Sequence, residues 1–316
     1  MKTIVFYHMM SAKTPCPDGI ASAWAARTVL GNKAEYIGCC YGSKGETPPQ
    51  LDIPQSGDRV YILDFSFEAN VLETWKERGV KITLIDHHKD KMEALLGYAP
   101  LEDLIVFDNS KCGAVLTWEY FYEDVPVPAF LWYIDDRDRW QHQLPYTKEI
   151  HAAVGKLGRT FQVFDVLSTL TQDELIWLLG DLGKKEIEQR DKQIAKLAEQ
   201  YQWIELAGHS IPTVHLAPND AWATSEVCQK LYLQFPDAPF TACYYEESDS
   251  VKWGLRSNPK GNNFDVAAIA RQFGGDGHRN AAGFSISGLP TTNGQSQSEA
   301  FLGTERSRQA MFQIPE

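Results

Sequence analysis

Three short apolar runs separated by helical patterns constrain the fold of the N-terminal third most strongly. The runs are residues 3–7 (TIVFY), Arg59–Leu63 (RVYIL) and 80–85 (VKITLI), and the helical patterns cover residues 19–30 and 69–78. Buried strands that alternate with helices of this length are typical of a parallel sheet covered by helices. The sequence therefore predicts an α/β fold with a parallel, helix-covered sheet in an N-terminal domain.

Acidic and imidazole side chains follow each of these runs. They are His8 and Asp18 after the first run, Asp64 after the second, and Asp86, His87 and His88 after the third. The carboxyl ends of parallel strands share one edge of a sheet, where ligands bind. So much negative charge at one edge requires cations, and carboxylate oxygens with imidazole nitrogens suit Mn²⁺ or a similar divalent ion. Two such ions, roughly 3.5–4 Å apart, activate water and stabilise the leaving oxygen of a phosphate ester.

Each residue of this set alone indicates a metal site less specifically than the whole set does. A single Asp at a strand end is often only a helix cap, so Asp64 alone indicates little. Adjacent histidines after an apolar strand are harder to explain as structural residues, because both would need hydrogen-bond partners if buried. Asp64 has no flanking acid and is the candidate to bridge the two ions.

The charge balance limits the partners of the chain. Its 316 residues include 30 Lys and Arg against 42 Asp and Glu, which gives a net charge of −12. Non-specific binding to long nucleic acid needs a basic surface, so that class of partner is not expected. A short anionic substrate is compatible with this charge if metal ions supply positive charge locally. A homodimer stays an open alternative.

Cysteine usage and hydropathy indicate the compartment. The six cysteines form neither a CxxC pair nor a disulfide-like framework, which is typical of reduced cytosolic thiols. The N-terminal apolar stretch is too short for a signal peptide, and no run approaches the length of a membrane span. We therefore expect a cytoplasmic protein without a membrane partner.

The rest of the chain divides into a helical linker and a second, smaller α/β domain. Residues 183–202 carry apolar residues at helical spacing and predict an amphipathic connector. Beyond residue 208, three strand-like runs interleave with two helices, which we expect to start near Asn219/Asp220 and at Asn263. The expected domains are 1–158, the linker 159–205, and 206–316 with a polar tail.

Two sets of motifs resemble one known family. Pro17-Asp18-Gly19, the strand-ending Asp64 and Asp86-His87-His88 resemble the motifs of the DHH phosphoesterase superfamily. Residues 274–284 (GGDGHRNAAGF) resemble the GGxGHxxAAG signature of its DHH-associated domain. The resemblance covers residues 3–287 and implies a bilobal fold, a Mn-dependent site in the first domain and substrate binding by the second. Family members include single-strand exonucleases, oligoribonucleases, cyclic-dinucleotide phosphodiesterases and inorganic pyrophosphatases.

The first motif departs from the family pattern. His8 lies ten positions before Asp18, as if residues 9–14 were an inserted loop, and Cys16 replaces the first Asp of Asp-x-Asp-Gly. If the loop bulges out, His8 is a metal ligand; the alternative is a buried, hydrogen-bonded histidine. Cys16 is either a soft ligand or a packed thiol. One of the two metal positions is therefore weaker than the other, or fills only with substrate present.

The fourth family motif is an Asp after a later helix, and three candidates follow residues 130–134. They are Asp135, Asp136 and Asp138, and one sequence does not decide among them. We favour Asp136, because the run resembles the DRDxW ending of one branch of the family. The alternative interpretation is a run of charged residues exposed to solvent. The apolar and aromatic residues before the run argue against it.

The resemblance also assigns roles to the remaining residues. The metal ligands are His8, Asp18, Asp64, Asp86, His87 and Asp136, and the expected cofactor is Mn²⁺ as two ions, with Mg²⁺ or Co²⁺ as alternatives. Asp86 either orients the histidines or is a ligand itself, and His88 contacts the phosphate or protonates the leaving oxygen. The substrate-binding residues are Arg256, Ser257, Gly275, Gly277 and His278. The structural alternatives are a turn that ends a helix for the glycine-rich segment and an ion pair with surface acids for Arg256.

The function that follows is metal-dependent hydrolysis of phosphodiester bonds in short oligonucleotides or dinucleotides. A site shared between a metal-binding lobe and a substrate-binding lobe suits two to a few nucleotides. The alternatives are a small-molecule phosphatase acting on pyrophosphate or a nucleotide bisphosphate, and a non-catalytic nucleotide sensor. The altered first motif favours the sensor, and the preferred length of the substrate separates the two enzymes.

Overall fold

The computed structural model describes residues 1–11, 14–41, 53–96, 105–247 and 250–287. The chain divides into two compact units, Met1–Ile187 and Glu188–Glu316. The predicted domain limits at residues 158 and 205 stay a prediction, and the predicted polar tail after residue 287 lies outside the described residues.

The first unit confirms the predicted parallel, helix-covered sheet. Its strands are β1 (Thr3–Ser11), β2 (Thr14–Pro15), β3 (Glu35–Cys39), β4 (Arg59–Leu63), β5 (Lys81–Asp86) and β6 (Ile105–Phe107). Its helices are α1 (Pro17–Leu30), α2 (Ala69–Glu77), α3 (Lys89–Leu96), α4 (Gly113–Phe121), α5 (Ala129–Asp138), α6 (Thr147–Leu157), α7 (Phe161–Leu167) and the start of α8 (Gln172–Ala198). The parallel strands follow the order β3-β1-β4-β5-β6, and β2 pairs antiparallel with the end of β1.

Successive side chains of the central strands point to opposite faces of this sheet, and both faces are buried. Ile4, Phe6 and Ile62 pack on one face against Leu72 and Trp75 of α2. On the opposite face Val5, Leu63 and Ile85 pack against residues of α1 and α4. Helices on both faces explain why the strands read as continuous apolar runs rather than as alternating ones.

The second unit is a smaller α/β unit, as predicted. Its strands are β7 (Gln202–Leu206), β8 (His209–His215), β9 (Thr241–Glu247), β10 (Ser250–Arg256), β11 (Asp276–His278) and β12 (Ala281–Ser287), and its helices are α9 (Thr224–Gln234) and α10 (Val266–Gln272). They form one sheet in the order β11-β12-β10-β9-β8-β7, antiparallel except between β8 and β9. Residues of α9 pack on one face and residues of α10 on the other.

Three predicted helix starts differ from the structure. Instead of starting at Gly183, α8 begins at Gln172, because Gly183 marks a close helix contact: a Cβ there would lie 1.7 Å from the carbonyl oxygen of Glu149. A 3₁₀ helix, Pro218–Ala223, precedes α9, so the helix does not start at Asn219/Asp220. In α10 the cap is Asp265 rather than Asn263, since its carboxylate accepts hydrogen bonds from two backbone N–H groups of the first turn.

Candidate metal centre

Strand register brings three candidate ligands to one level of the sheet. Tyr7 of β1 pairs with Leu63 of β4, and Leu63 pairs with Ile85 of β5. The next residue on each strand is therefore His8, Asp64 or Asp86. His8 lies inside β1 rather than after it, because the strand continues to Ser11. This level lies where the strand order reverses, between β1 and β4, which is the usual ligand-binding edge of such sheets.

A short hairpin returns the chain from β1 to the start of α1. Met9 pairs with Pro15, and Ser11 with Thr14, so the predicted insertion folds into β1 and β2; residues 12 and 13 lie outside the described part. Asp18 then stands in the first turn of α1. A Cβ at position 19 would lie 2.3 Å from the carbonyl oxygen of His8. The glycine of the Pro17-Asp18-Gly19 turn is thus required by close packing of α1 on β1.

The N-terminus of α4 holds two buried carboxylates. Asp18 accepts hydrogen bonds from the backbone N–H groups of Gly113 (2.8 Å) and Ala114 (2.7 Å), and Asp135 accepts one from Cys112 (2.7 Å). The first N–H groups of a helix have no partner within it, and the helix dipole favours negative charge there. These amides offset part of the cost of burying the Asp18 carboxylate and fix its orientation.

Side-chain nitrogen and oxygen atoms converge on Asp64 and His87. Nε2 of His87 lies 3.2 Å from Oδ1 of Asp64, 3.3 Å from Oδ2 of Asp18 and 3.5 Å from Oδ2 of Asp138. On the other side of Asp64, its Oδ2 lies 3.4 Å from Nδ1 of His8. The Asp18 and Asp64 side chains are only 1% exposed, whereas that of Asp138 is 33% exposed, so the cluster is buried on one side and reaches solvent on the other.

Several of these buried atoms have no hydrogen bond of good geometry among the described residues. They are Nδ1 of His8, both carboxylate oxygens of Asp64, Oδ2 of Asp86 and Nε2 of His87. Buried polar atoms are nearly always hydrogen-bonded. A group of buried polar atoms that lack hydrogen bonds and face one another therefore indicates a ligand-binding site. Carboxylate and imidazole donors in this number fit a divalent metal ion.

The ligand atoms form three overlapping groups, each with its atoms within 4.8 Å of one another. The groups are Asp64 with Asp86, His87 and His88; His8 with Cys16 and Asp64; and Asp18 with His87 and Asp138. Two groups share Asp64 and two share His87. This overlap is compatible with more than one ion.

The charges in the cluster oppose one another in the absence of a cation. Burial, and then the charge of Asp64, raises the pKa of the Asp18 carboxyl. Burial and the charges of Asp18 and Asp64 raise the pKa of Asp138 to about 7. Burial disfavours a charged His87, but Asp18 and Asp64 outweigh it and raise its pKa to about 11. A divalent cation would relieve this repulsion between carboxylates.

Asp64 also has an uncommon backbone conformation. Its φ is +53°, although the left-handed region is unfavourable for residues other than glycine. Strain of this kind, of order 1–3 kcal/mol, tends to persist at functional sites. The conformation lets the chain turn immediately after β4 while the Asp64 side chain stays in the cluster.

The structure corrects the predicted fourth motif, since Asp138 and not Asp136 faces His87. The carboxylate of Asp136 accepts hydrogen bonds from the backbone N–H groups of Gln143 (2.8 Å) and Leu144 (3.2 Å), and it also binds the hydroxyl of Thr147. Both of its oxygens therefore hold the loop after α5. Asp138, and not Asp136, forms a group of possible metal ligands with Asp18 and His87.

Asp86 orients the second histidine of the pair. Its Oδ1 accepts hydrogen bonds from the backbone N–H groups of His87 (2.7 Å) and His88 (3.2 Å) and lies 2.7 Å from Nδ1 of His88. A carboxylate on Nδ1 fixes the ring and leaves Nε2 of His88 for another partner. The His88 side chain is 36% exposed, unlike that of His87 at 12%.

The predicted substrate-binding residues lie in the second unit with uneven accessibility. Ser257 is buried, and its hydroxyl donates to the carbonyl oxygen of Phe264 (2.7 Å) and accepts from Asn280 (2.8 Å). The hydroxyl is therefore engaged on both sides, and the substrate-binding role of Ser257 stays a prediction. The guanidinium of Arg256 donates to Ser225 (2.8 Å).

The glycine-rich segment forms a strand rather than an open turn. Residues Asp276–His278 pair with β12, and a Cβ at Gly275 would lie 2.2 Å from the carbonyl oxygen of Gly283. Close strand pairing thus explains Gly275, and Gly277 with its φ of +147° as well. His278 is exposed, and its substrate-binding role stays a prediction.

Sequence reasoning missed Gly113 as a residue of the site. A Cβ at this position would lie 2.8 Å from Cβ of Asp64 and 3.2 Å from Oδ2 of Asp18. The available signal was a Cys-Gly pair at the start of a helical pattern.

We expect Gly113→Ala to fold but to bind Mn²⁺ at least tenfold more weakly, because the methyl group pushes the two carboxylates apart. Isothermal titration checks this, with Gly155→Ala in α6 as the control; equal affinities would contradict it.

Among the residues that the structure describes, no helix combines the length and apolar character needed to cross a membrane.

Sequence comparison finds a relative of this chain but no matching family model. The chain matches no protein-family model. It is 29% identical over 299 residues to the uncharacterized protein R106 of Acanthamoeba polyphaga mimivirus, covering 90% of this chain and 68% of that protein.

Solved structures similar to this chain include a phosphodiesterase and a metal complex. The pGpG-specific phosphodiesterase PggH from Vibrio cholerae is 12% identical with a TM-score of 0.46, and the match covers 91% of this chain and 94% of that one. RecJ from Thermus thermophilus in complex with Mn²⁺ is 14% identical with a TM-score of 0.44, covering 90% and 49%. On the evidence of its own site, the chain is similar to the DHH phosphoesterases because the residues of three of their motifs meet in one buried carboxylate and imidazole cluster.

Proposed function

We propose that this protein is a metal-dependent phosphoesterase that hydrolyses phosphodiester bonds of short oligonucleotides or dinucleotides. One observation carries the proposal: buried, unpartnered carboxylate and imidazole atoms converge on Asp64 and His87. A structural role for such a cluster would require hydrogen-bond partners that the described residues do not supply. The DHH resemblance of the same residues supports phosphoester chemistry.

The residues of the cluster fit divalent ions, with Mn²⁺ as the first candidate. The residues that would hold the ions are His8, Asp18, Asp64, Asp86, His87 and Asp138, and Asp64 belongs to two of the three ligand groups. When bound, the ions supply an activated water and positive charge that stabilises the transferring phosphoryl group.

His88 is the proposed group that acts on the leaving oxygen. Asp86 lies at its Nδ1, and Nε2 is left for the substrate. Burial lowers the pKa of His88, but the charges of Asp86 and Asp64 outweigh it and raise the pKa overall, which favours the protonated form. As water attacks phosphorus in line, the bond to the leaving oxygen breaks and His88 donates a proton to that oxygen. Asp86 thereby positions a proton donor beside the metal ligands.

The overall charge supports a short substrate. A net charge of −12 leaves little scope for counterion release along a long polymer, so affinity must come from local contacts. The six cysteines are free thiols, which supports a reducing, cytoplasmic compartment for the activity.

A non-catalytic nucleotide sensor is the second candidate. Cys16 lies with His8 and Asp64 in one of the three ligand groups, where related motifs have an aspartate. Burial, followed by the charges of Asp64 and Asp18, raises the pKa of its thiol above the usual range. A protonated thiol is a weaker ligand than a carboxylate, which favours a site with reduced activity.

The test is hydrolysis of a 5′-phosphorylated RNA dinucleotide beside a longer oligomer and pyrophosphate, each with Mn²⁺ or with EDTA. We expect Mn-dependent cleavage that is fastest for the dinucleotide and lost in the Asp86→Ala/His87→Ala double variant. Asp165→Asn is the matched control, because it changes a carboxylate of the same unit that pairs with Arg27 instead. Binding of the dinucleotide without cleavage would favour the sensor, and preference for pyrophosphate would favour the small-molecule phosphatase.

A further inference from the structure

Two arginines beside the metal cluster have no carboxylate partner among the described residues. Arg137, in α5, places its guanidinium 4.2 Å from the ring centroid of Trp140. Arg159, after α6, donates to the carbonyl oxygen of Pro15 (3.1 Å). In a chain with more acids than bases, cationic side chains left without an acid near an anion-binding site are candidates for substrate contact.

Both arginines lie close to cluster residues along the chain. Arg137 immediately precedes Asp138, whose carboxylate lies 3.5 Å from His87. Arg159 holds the carbonyl of Pro15, and the next residue, Cys16, lies in the ligand group of His8 and Asp64. Burial lowers the pKa of Arg159, the charge of Cys16 raises it and the charge of Arg137 lowers it, so Arg159 lies within electrostatic range of both.

Trp140 adds an aromatic surface at the same end of α5. Its backbone N–H donates to the carbonyl oxygen of Arg137 (3.2 Å), yet 71% of the residue is exposed. The loop that carries it contains three residues with positive φ, Trp140 (+56°), His142 (+50°) and Tyr146 (+63°). Asp136 holds this loop through two backbone N–H groups and the Thr147 hydroxyl. The fold thus maintains a strained loop that presents a large apolar ring to solvent.

We propose that Arg137, Arg159 and Trp140 form a nucleotide-binding subsite in which the guanidinium groups hold a phosphate beside the metal cluster and Trp140 stacks on the base. The inference rests on the proposed function and assigns the nucleotide next to the scissile phosphodiester. Planar guanidinium groups match phosphate oxygens, and every base offers a face for stacking. The subsite therefore binds nucleotides with little base preference and offsets the negative charge of the chain locally.

Calorimetric titration of the full chain with 5′-AMP, ribose 5-phosphate and adenosine tests the subsite, in EDTA and in Mn²⁺. We expect Trp140→Ala to weaken 5′-AMP binding roughly tenfold, as for one stacked base, and to leave ribose 5-phosphate binding unchanged. Trp140→Phe should restore most of the 5′-AMP affinity. Arg137→Gln and Arg159→Gln should weaken both phosphorylated ligands.

Matched controls are Trp177→Ala, which removes an exposed tryptophan of α8, and Arg27→Gln, which removes an arginine paired with Asp165. Neither control should change any affinity. The proposal is overturned if Trp140→Ala affects 5′-AMP and ribose 5-phosphate equally, or if 5′-AMP binds neither with EDTA nor with Mn²⁺. Because this readout is binding rather than turnover, it can fail while Mn-dependent hydrolysis succeeds, or succeed while hydrolysis fails.

Discussion

Replacing Asp138 by Asn is expected to lower Mn-dependent phosphodiester hydrolysis by more than about 100-fold, because it removes a negatively charged ligand beside His87. The same change at Asp136 should lower turnover far less, through the loop that carries Trp140. It should instead lower the free energy of unfolding by about 1–3 kcal/mol, since its carboxylate satisfies two backbone N–H groups and a hydroxyl. Steady-state kinetics and urea unfolding measure the two effects on the two variants.

This pair of variants shares one helix and one chemical change, so each is the control of the other. Circular dichroism of Asp138→Asn should match that of the unmodified protein. A loss of turnover in Asp136→Asn with normal turnover in Asp138→Asn would restore Asp136 as the ligand and contradict the geometry at His87.

Replacing Asp64 by Asn is expected to abolish both turnover and stabilisation by metal. The unmodified protein should gain about 2.7 kcal/mol from one Mn²⁺ ion at 100 times its dissociation constant. The variant should gain almost nothing, because two of the three ligand groups contain Asp64. Turnover should fall by more than about 1000-fold, since the loss affects both proposed ion positions.

Thermal or urea unfolding with Mn²⁺ and with EDTA measures this stabilisation. Asp165→Asn should respond to Mn²⁺ like the unmodified protein, because its carboxylate lies outside the cluster and pairs with Arg27. A full Mn²⁺ response in Asp64→Asn would remove Asp64 from the metal site, whatever happens to turnover.

The central sheet could be predicted because its strands are buried on both faces. Residues 3–7 and Arg59–Leu63 read as continuous apolar runs, and their order with the helices fixes parallel pairing. β3 escaped prediction because its residues, EYIGC, mix polar, aromatic and glycine positions at an outer strand of the parallel set. The start of α8 was placed too late, because a glycine that serves close packing reads in sequence like a helix end.

The clustering of the strand-end residues could be predicted from the sequence, but the choice among the aspartates of α5 could not. Asp64 and Asp86 follow from register alone, since neighbouring parallel strands bring equivalent positions together. The loop after α5 decides which of the two aspartates joins the cluster. Its backbone N–H groups at Gln143 and Leu144 donate hydrogen bonds to Asp136 and hold it away from His87. Those hydrogen bonds depend on residues later in the chain and on backbone conformations that no local pattern specifies.

The buried amides of α4 were also beyond sequence reasoning. Gly113 and Ala114 lie far along the chain from Asp18, yet their N–H groups hold its carboxylate. Only the packing of α4 against α1 brings these groups together. The same packing explains why a fully buried Asp18 is tolerated beside Asp64.

Mn²⁺ binding to the unmodified protein is the decisive measurement for the metal centre. Electron paramagnetic resonance of added Mn²⁺, after dialysis against EDTA, counts free and bound ions per chain. We expect two bound ions in the unmodified protein, both lost in Asp64→Asn and both kept in Asp165→Asn. Absence of bound Mn²⁺ in the unmodified protein, or equal binding in all three proteins, would contradict the assignment of this cluster as a metal centre.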